Sequence, residues 1–327
     1  MNKILELKER VKGNKRRIVL PESMDERVLK AASILIEEDL VDIILIGKKE
    51  NIIDRYPILD RVSWYNAEEV AFEYTNKLYE LRKDKGLTIE EAKNLILSDY
   101  MYLACLLVLE GKADGIVSGA CHSSSNTLRP ALQLIKGPDG FVSSFFLMET
   151  DKYDLGSNGL FIFADCGLNQ TPSTDELALI AKHSIESFRL LVGNDPKVAF
   201  LSHSTYDSSK HEIVNKVKEA TSKAKALNPN VLIDGELQLD AAIIKEVASI
   251  KCPNSPLNGE ANILIFPNID SGNIGYKLVE RFGNSKAYGP LTQGLNYPVN
   301  DLSRGSSVED IIGVILITCI QVNKNML

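Results

Sequence analysis

The sequence lacks a GxxxxGK[ST] phosphate loop, an HExxH pair, a GxSxG elbow and a GxGxxG fingerprint. These absences remove the usual signs of a phosphate-loop nucleotidase, a helix-borne zinc hydrolase, a serine hydrolase and a dinucleotide-dependent dehydrogenase. Histidine is scarce: His122, His183, His203 and His211 are the four, and none is spaced to share a metal. Cys121 and His122 are adjacent, which in a strand would point them to opposite faces, so no metal is expected. The five cysteines (Cys105, Cys121, Cys166, Cys252, Cys319) are scattered and form no CxxC. That pattern predicts reduced thiols and a cytoplasmic setting. No apolar run reaches membrane-spanning length. The opening MNKILELKERVKGNKRR is charged and amphipathic, so no secretory leader is expected. Basic blocks are also missing and the net charge is −7, which argues against a nucleic-acid partner.

What is present is ordinary globular composition, 44% apolar and 25% charged, over 327 residues, a length that suits two domains. Short β-branched runs (RIVLPE, VDIILIG, ADGIVSG, GLFIFAD, PKVAFLSHS, ANILIFPNI) alternate with segments of helical period. Such alternation predicts an α/β fold whose mostly parallel sheets are covered by helices on both faces. TIEEAKNLILSDYMYLACLLVLEGK reads as one helix, opened by a Thr88 cap with Glu91 three residues on. Gly/Pro-rich joints near Gly140 and within Ala287–Asp301 divide the chain. The expected domains are 1–141 plus 290–327, with the last helix returning to the first domain, and 142–289.

Four strand ends run into small, hydroxyl-rich turns before a helix: IVSGACHSSSNTLRPALQL, VAFLSHSTYDSSKHEIVNKV, LIFPNIDSGNIGYKLVERF and LSRGSSVEDIIGVIL. Helix N-termini present unpaired N–H groups and partial positive charge, and arginines (Arg129, Arg281, Arg304) accompany three of the turns. The pattern suits a site for several phosphate groups; each turn taken alone is also an ordinary helix cap. In the last turn Ser306 or Ser307 can cap a helix that is apolar all round, with Glu309 and Asp310 in its first turn. Asp310 heads an apolar strip with Val314 and Ile317. It can serve as a general base or as a capping carboxylate paired with Arg304.

GPLTQGLNYPVNDLSRGSSVED, together with YELRKDKG, KADGIVSGACHSSSNTLRPALQLIK, FADC, LIDGELQLDAA and NILIFPNIDSGNIGYKLVERFG, resembles the phosphate acetyl/butyryl transferase family in order and over nearly the whole chain. The resemblance implies two α/β/α domains of three layers, an active site in the cleft between them, and a homodimer. It implies reversible acetyl transfer between acetyl-CoA with inorganic phosphate on one side and acetyl phosphate with coenzyme A on the other. Propionyl or butyryl transfer, or a non-catalytic acyl-CoA sensor, are the alternatives. By the same resemblance Asp310 takes the thiol proton, Arg304 steadies the growing negative charge and Ser303 orients the substrate. Ser123, Ser124, Arg129 and Arg304 are then substrate contacts, and Arg82, Arg129 and Arg281 bind coenzyme A phosphates. The chain departs from the family pattern at Ser306, where cysteine is frequent, which favours direct transfer over a cysteine nucleophile. CHSSSNT, ADCGLNQTPS and Tyr206–Asp207 depart too, and Asp207 adds an acid near an expected phosphate path.

Overall fold

The computed structural model describes residues 3–193 and 195–322. In chain order the strands are β1 (Arg17–Leu20), β2 (Asp42–Ile46), β3 (Ser63–Tyr65), β4 (Gly115–Ser118), β5 (Ser143–Glu149), β6 (Leu160–Ala164), β7 (Lys197–Leu201), β8 (Leu232–Leu237), β9 (Ile263–Ile265), β10 (Lys286–Gln293) and β11 (Val299–Asp301). The α-helices are α1 (Lys3–Val11), α2 (Glu26–Glu37), α3 (Ala67–Arg82), α4 (Ile89–Ser98), α5 (Tyr100–Leu109), α6 (Ser124–Leu134), α7 (Thr174–Leu191), α8 (Glu212–Leu227), α9 (Leu239–Ile243), α10 (Lys245–Lys251), α11 (Ile269–Phe282) and α12 (Val308–Val322). Among the described residues no single helix is long and apolar enough to cross a membrane.

Two compact units emerge. The first spans Met1–Gly140 and Leu295–Leu327, the second Phe141–Gly294. The first holds a parallel sheet ordered β11-β4-β1-β2-β3. Its central strands are apolar on both faces, as a sheet covered by helices requires. α12 packs on β1, β4 and β11, and all but one of its residues from Ile311 to Val322 are buried. It is tied to β11 by polar bonds within the apolar layer: Asn300 donates to Thr318 Oγ1 at 2.8 Å and to Gln321 Oε1 at 2.6 Å.

The second unit holds a sheet ordered β10-β5-β6-β9-β7-β8. β6, β9, β7 and β8 run parallel, while β5 pairs antiparallel with both β6 and β10. The stretch Ala287–Asp301, read from sequence as a joint, contains two strands that belong to different units. β10 includes Pro290 because it is an edge strand whose register shifts between Tyr288 and Leu291. A boundary between 289 and 290 would cut this strand, and the chain instead passes between units after Gly294.

The long helix expected from Thr88 is two helices. Thr88 and Glu91 do form a reciprocal capping box, with Glu91 N donating to Thr88 Oγ1 at 3.2 Å and Thr88 N to Glu91 Oε2 at 2.8 Å. At Asp99 the chain then bends by 101°. Asp99 caps the second helix by accepting from Met101 N, and α5 is buried on nearly every side.

Candidate active site in the first unit

The site is built at the carboxyl ends of β1, β4 and β11, where loops leave a parallel sheet. After β1 the chain places Glu22 in the interior, with a side chain only 3% exposed. After β4 the turn Gly119–Cys121 wraps this carboxylate. Gly119 N and Ala120 N donate to Glu22 Oε2 at 2.8 and 2.7 Å, and Cys121 N to Oε1 at 3.0 Å. His122 Nδ1 lies 2.6 Å from the same Oε1. Burial pushes the Glu22 carboxyl up, yet His122 and the Cys121 and Ala120 N–H groups outweigh it and hold the acid below the usual range.

Ahead of the serine turn, the backbone donors of Gly119, Ala120 and Cys121 hold one of the protein's own carboxylates, while Ser123 caps α6 by accepting from Asn126 N at 3.4 Å. The same economy recurs elsewhere. Asp310 fills the start of α12, Glu236 accepts from Asp207 N and Ser204 Oγ, and Asp165 accepts from the N–H groups of Ser144, Gly167, Leu168 and Asn169. Exposed cationic and hydroxyl side chains beside these turns remain for a ligand.

Cys121 and His122 do not point apart, because they lie in a turn rather than a strand; Cys121 Sγ and His122 Nδ1 are 3.5 Å from one another. With Glu22 they form a group whose potential metal-ligand atoms lie within 4.8 Å of one another. Burial and the Glu22 contact push the Cys121 thiol up to about 12, which favours the protonated form over the thiolate that ligates metal.

The loop after β11 carries the residues expected from sequence to act in catalysis. Ser303 and Arg304 are exposed and Asp310 is half-buried. Asp310 completes a capping box: Ser307 N and Ser307 Oγ each donate to its Oδ2 at 2.8 Å, and Asp310 N donates back to Ser307 Oγ at 3.2 Å. Ser307 is therefore the cap. Among the described residues Arg304 makes no ion pair with Asp310, and Oδ1 of Asp310 accepts no hydrogen bond. The carboxylate can thus hold the helix with one oxygen and present the other.

Arg27 fixes this loop beside the turn after β4, and sequence reasoning missed it. Asp25, the cap of α2, grips the guanidinium through Nε at 3.1 Å and Nη2 at 2.7 Å. Thus oriented, Nη1 donates to Arg304 O at 2.8 Å and Ser306 O at 2.9 Å, and Nη2 to Ala120 O at 2.7 Å. The fork geometry of arginine satisfies carbonyls of both loops at once. The only sequence sign was an Asp-Glu-Arg opening a helix, which resembles a plain cap.

A cavity of about 520 Å³ opens against these loops, lined by Glu22, Ser118, His122, Asn126, Thr127 and Arg129 on one side and by Leu95, Ser98, Asp99, Tyr100 and Met101 on another. A second hollow of about 250 Å³ is lined by Arg82, Lys85, Leu87, Leu95 and Tyr102. Leu95 lines both. Arg129 is half exposed and reaches Asp99 at 3.3 Å. Arg82 makes a long contact with Gln133 O, at 3.5 Å. Ser123 caps α6 and is exposed, and Ser124 follows it, half-buried. Ser303, Arg304 and Asp310 do not line the cavity.

Arg281 belongs to the second unit, in the last turn of α11, and is 72% exposed beside Glu280. There Asp207 is neutralised by Lys218, and Tyr206 donates to the buried Asp234 at 2.6 Å, so the extra acid is paired within the unit. Cys166 is buried and its thiol is pushed well up by desolvation, as suits a packing residue.

The model of the phosphate acetyl/butaryl transferase family matches residues 3–319. The chain is 48% identical to a phosphate acetyltransferase of Thermoanaerobacterium thermosaccharolyticum, covering 98% of this chain and 99% of that protein. It is 49% identical to one from Acetivibrio thermocellus, covering 96% of each. Among solved structures, a phosphotransacetylase from Streptococcus pyogenes superposes with a TM-score of 0.91 at 42% identity over 98% of both chains. A branched-chain phosphotransacylase from Enterococcus faecalis shares the fold at 21% identity and a TM-score of 0.70.

Proposed function

The chain belongs to the phosphate acetyl/butaryl transferase family, and from that premise we propose that it moves an acetyl group between coenzyme A and inorganic phosphate in a ternary complex. The full-length likeness to relatives named for acetyl transfer carries this reading. The first unit supports it: one hollow is lined by Arg129 and a neighbouring one by Arg82 and Lys85, with Leu95 lining both, and such cations beside apolar side chains suit the phosphates and the less polar arm of coenzyme A.

Arg82 and Arg129 bind coenzyme A phosphates, and Arg281 is a further candidate cation for them. Ser123, Ser124 and Arg129 contact the substrate that carries the phosphoryl group. Asp310 takes the thiol proton on its unoccupied Oδ1. The thiolate attacks the acetyl carbonyl of acetyl phosphate, the C–O bond to phosphate breaks, and phosphate leaves as the anion. In reverse, a phosphate oxygen attacks the thioester carbon, and the departing thiolate regains its proton from Asp310. Arg304 stabilises the charge that develops on the acyl and phosphate oxygens, and Ser303 orients them. Ser306 has no thiol, so no acyl-enzyme is needed at that position. Exposed Ile274, Leu278 and Phe282 form one apolar stripe along α11, which supports a homodimer. A cytoplasmic setting fits the free cysteines.

Asp310→Asn tests the assignment. It should lower kcat by about a hundredfold or more, the usual scale of general-base loss, while the KM for coenzyme A changes little. A kcat near wild type would leave Asp310 as a helix cap alone.

A further inference from the structure

Glu22, Cys121 and His122 bring an oxygen, a sulfur and a nitrogen together after β1 and β4, and Cys121 and His122 have no part in the proposed transfer. Glu22 Oε1 lies 3.1 Å from Cys121 Sγ and 2.6 Å from His122 Nδ1, and the sulfur and nitrogen are 3.5 Å apart. A tetrahedral zinc ion, with bonds of about 2.3 Å to sulfur and about 2.0–2.1 Å to nitrogen and oxygen, sets its sulfur roughly 3.5 Å from each of the other two and those two roughly 3.4 Å apart. The sulfur–nitrogen distance already matches. The two distances to Oε1 are shorter because hydrogen bonds span them, and an ion in place of the hydrogens opens each by less than about 1 Å.

The carboxylate is held ready for this. Gly119 N and Ala120 N anchor its other oxygen, Oε2, so Oε1 stays aimed at the two side chains. Glu22 is buried, whereas Cys121 and His122 are exposed, so a fixed floor meets two arms free to adjust. Asp25 and Arg27 are the other charged groups beside the thiol; they pair with each other at 2.7 Å, which leaves Glu22 as the uncompensated charge.

We propose that Glu22 Oε1, Cys121 Sγ and His122 Nδ1 bind one zinc ion and leave its fourth position to water or an anion. Mixed sulfur, nitrogen and oxygen donors suit zinc, while magnesium and calcium take oxygen. The Cys121 thiol is protonated in the free protein, so the S–H bond breaks as the S–Zn bond forms and the proton goes to solvent. A neutral His122 carries its hydrogen on Nε2 and gives the Nδ1 lone pair. At least one proton therefore leaves per ion bound. Glu22 and His122 also line the cavity of about 520 Å³, so the ion sits at its wall.

The test is calorimetric titration of the whole chain with zinc, in two buffers of different ionisation enthalpy, with a phosphine as reductant and magnesium in excess. One zinc ion should bind in the micromolar range or tighter, with proton release. Cys121→Ser and His122→Asn, both at exposed positions, should each weaken binding by more than about tenfold, the least that loss of even a partner one step removed from a metal costs. His203→Asn and His211→Asn, exposed in the second unit, should keep wild-type affinity. Cobalt(II) should show a thiolate-to-metal charge-transfer band that Cys121→Ser abolishes, since the other four cysteines are buried. A wild type that binds no zinc, an affinity unchanged in Cys121→Ser or His122→Asn, binding lost in His203→Asn or His211→Asn, or a cobalt complex without the thiolate band overturns the site. No acyl transfer enters the titration, so its failure leaves the proposed reaction standing, and an inactive protein that binds zinc in this way supports the site.

Discussion

Three buried or half-buried acids in the first unit have three different fates, and their surroundings decide which. Glu22 is buried but surrounded by donors, so it stays charged and organises the turn after β4. Asp301 is buried without partners, so ionisation costs more. Asp310 sits at a helix start with one oxygen occupied. Sequence gave access to Asp310, because a capping pattern is local. It gave none to Glu22 or Asp301, whose partners lie in segments brought close only by strand pairing, nor to Arg27, which joins three segments through backbone oxygens. Arg27→Met keeps much of the packing but removes the fork. It should lower kcat about ten- to hundredfold, because both loops lose charge-assisted bonds worth about 1.5–3 kcal/mol each. Steady-state kinetics beside a thermal melt checks this. Unchanged kcat with a lowered Tm would make Arg27 a purely structural clamp.

Elements were legible where period and caps were local. β1, β2, β4, β6, β7 and β9 follow from their β-branched runs, and the Thr88–Glu91 box from its spacing. The bend at Asp99 was hidden, because the helical pattern on either side is continuous in hydropathy while Asp99 looks like any polar residue. β10 was hidden by Gly289, Pro290 and Gly294, which mark loops in most contexts but are tolerated at a sheet edge. The exposed face of α11 carries its own expectation. Phe282 is 86% exposed at the end of the Ile274, Leu278, Phe282 stripe, a large apolar surface for a helix facing water. If that stripe seals a homodimer, Phe282→Glu should shift the protein from dimer to monomer in sedimentation at micromolar concentration. A wild-type monomer, or a variant that stays fully dimeric, would contradict it.

At the scale of the whole molecule, the alternation of strands and helices announces two mostly parallel sheets, and the structure has them. The return of the last segment to the first unit places Asp301, Ser303, Arg304 and Asp310 on the sheet that also bears Glu22 and Ser118. A domain boundary between 289 and 290 was expected within the Ala287–Asp301 joint, but β10 pairs with β5 across it and the units change after Gly294. The family relation spans nearly the full length, so the account stands or falls on one transfer reaction. The measurement that tests it most directly is thiol release by the full chain from acetyl-CoA and from butyryl-CoA, with and without orthophosphate. The account predicts release that requires orthophosphate, is matched by acetyl phosphate formed, and is about tenfold or more faster with acetyl-CoA, within the reach of a pocket that discriminates by chain length. Release that ignores orthophosphate, or none from either thioester, would contradict it.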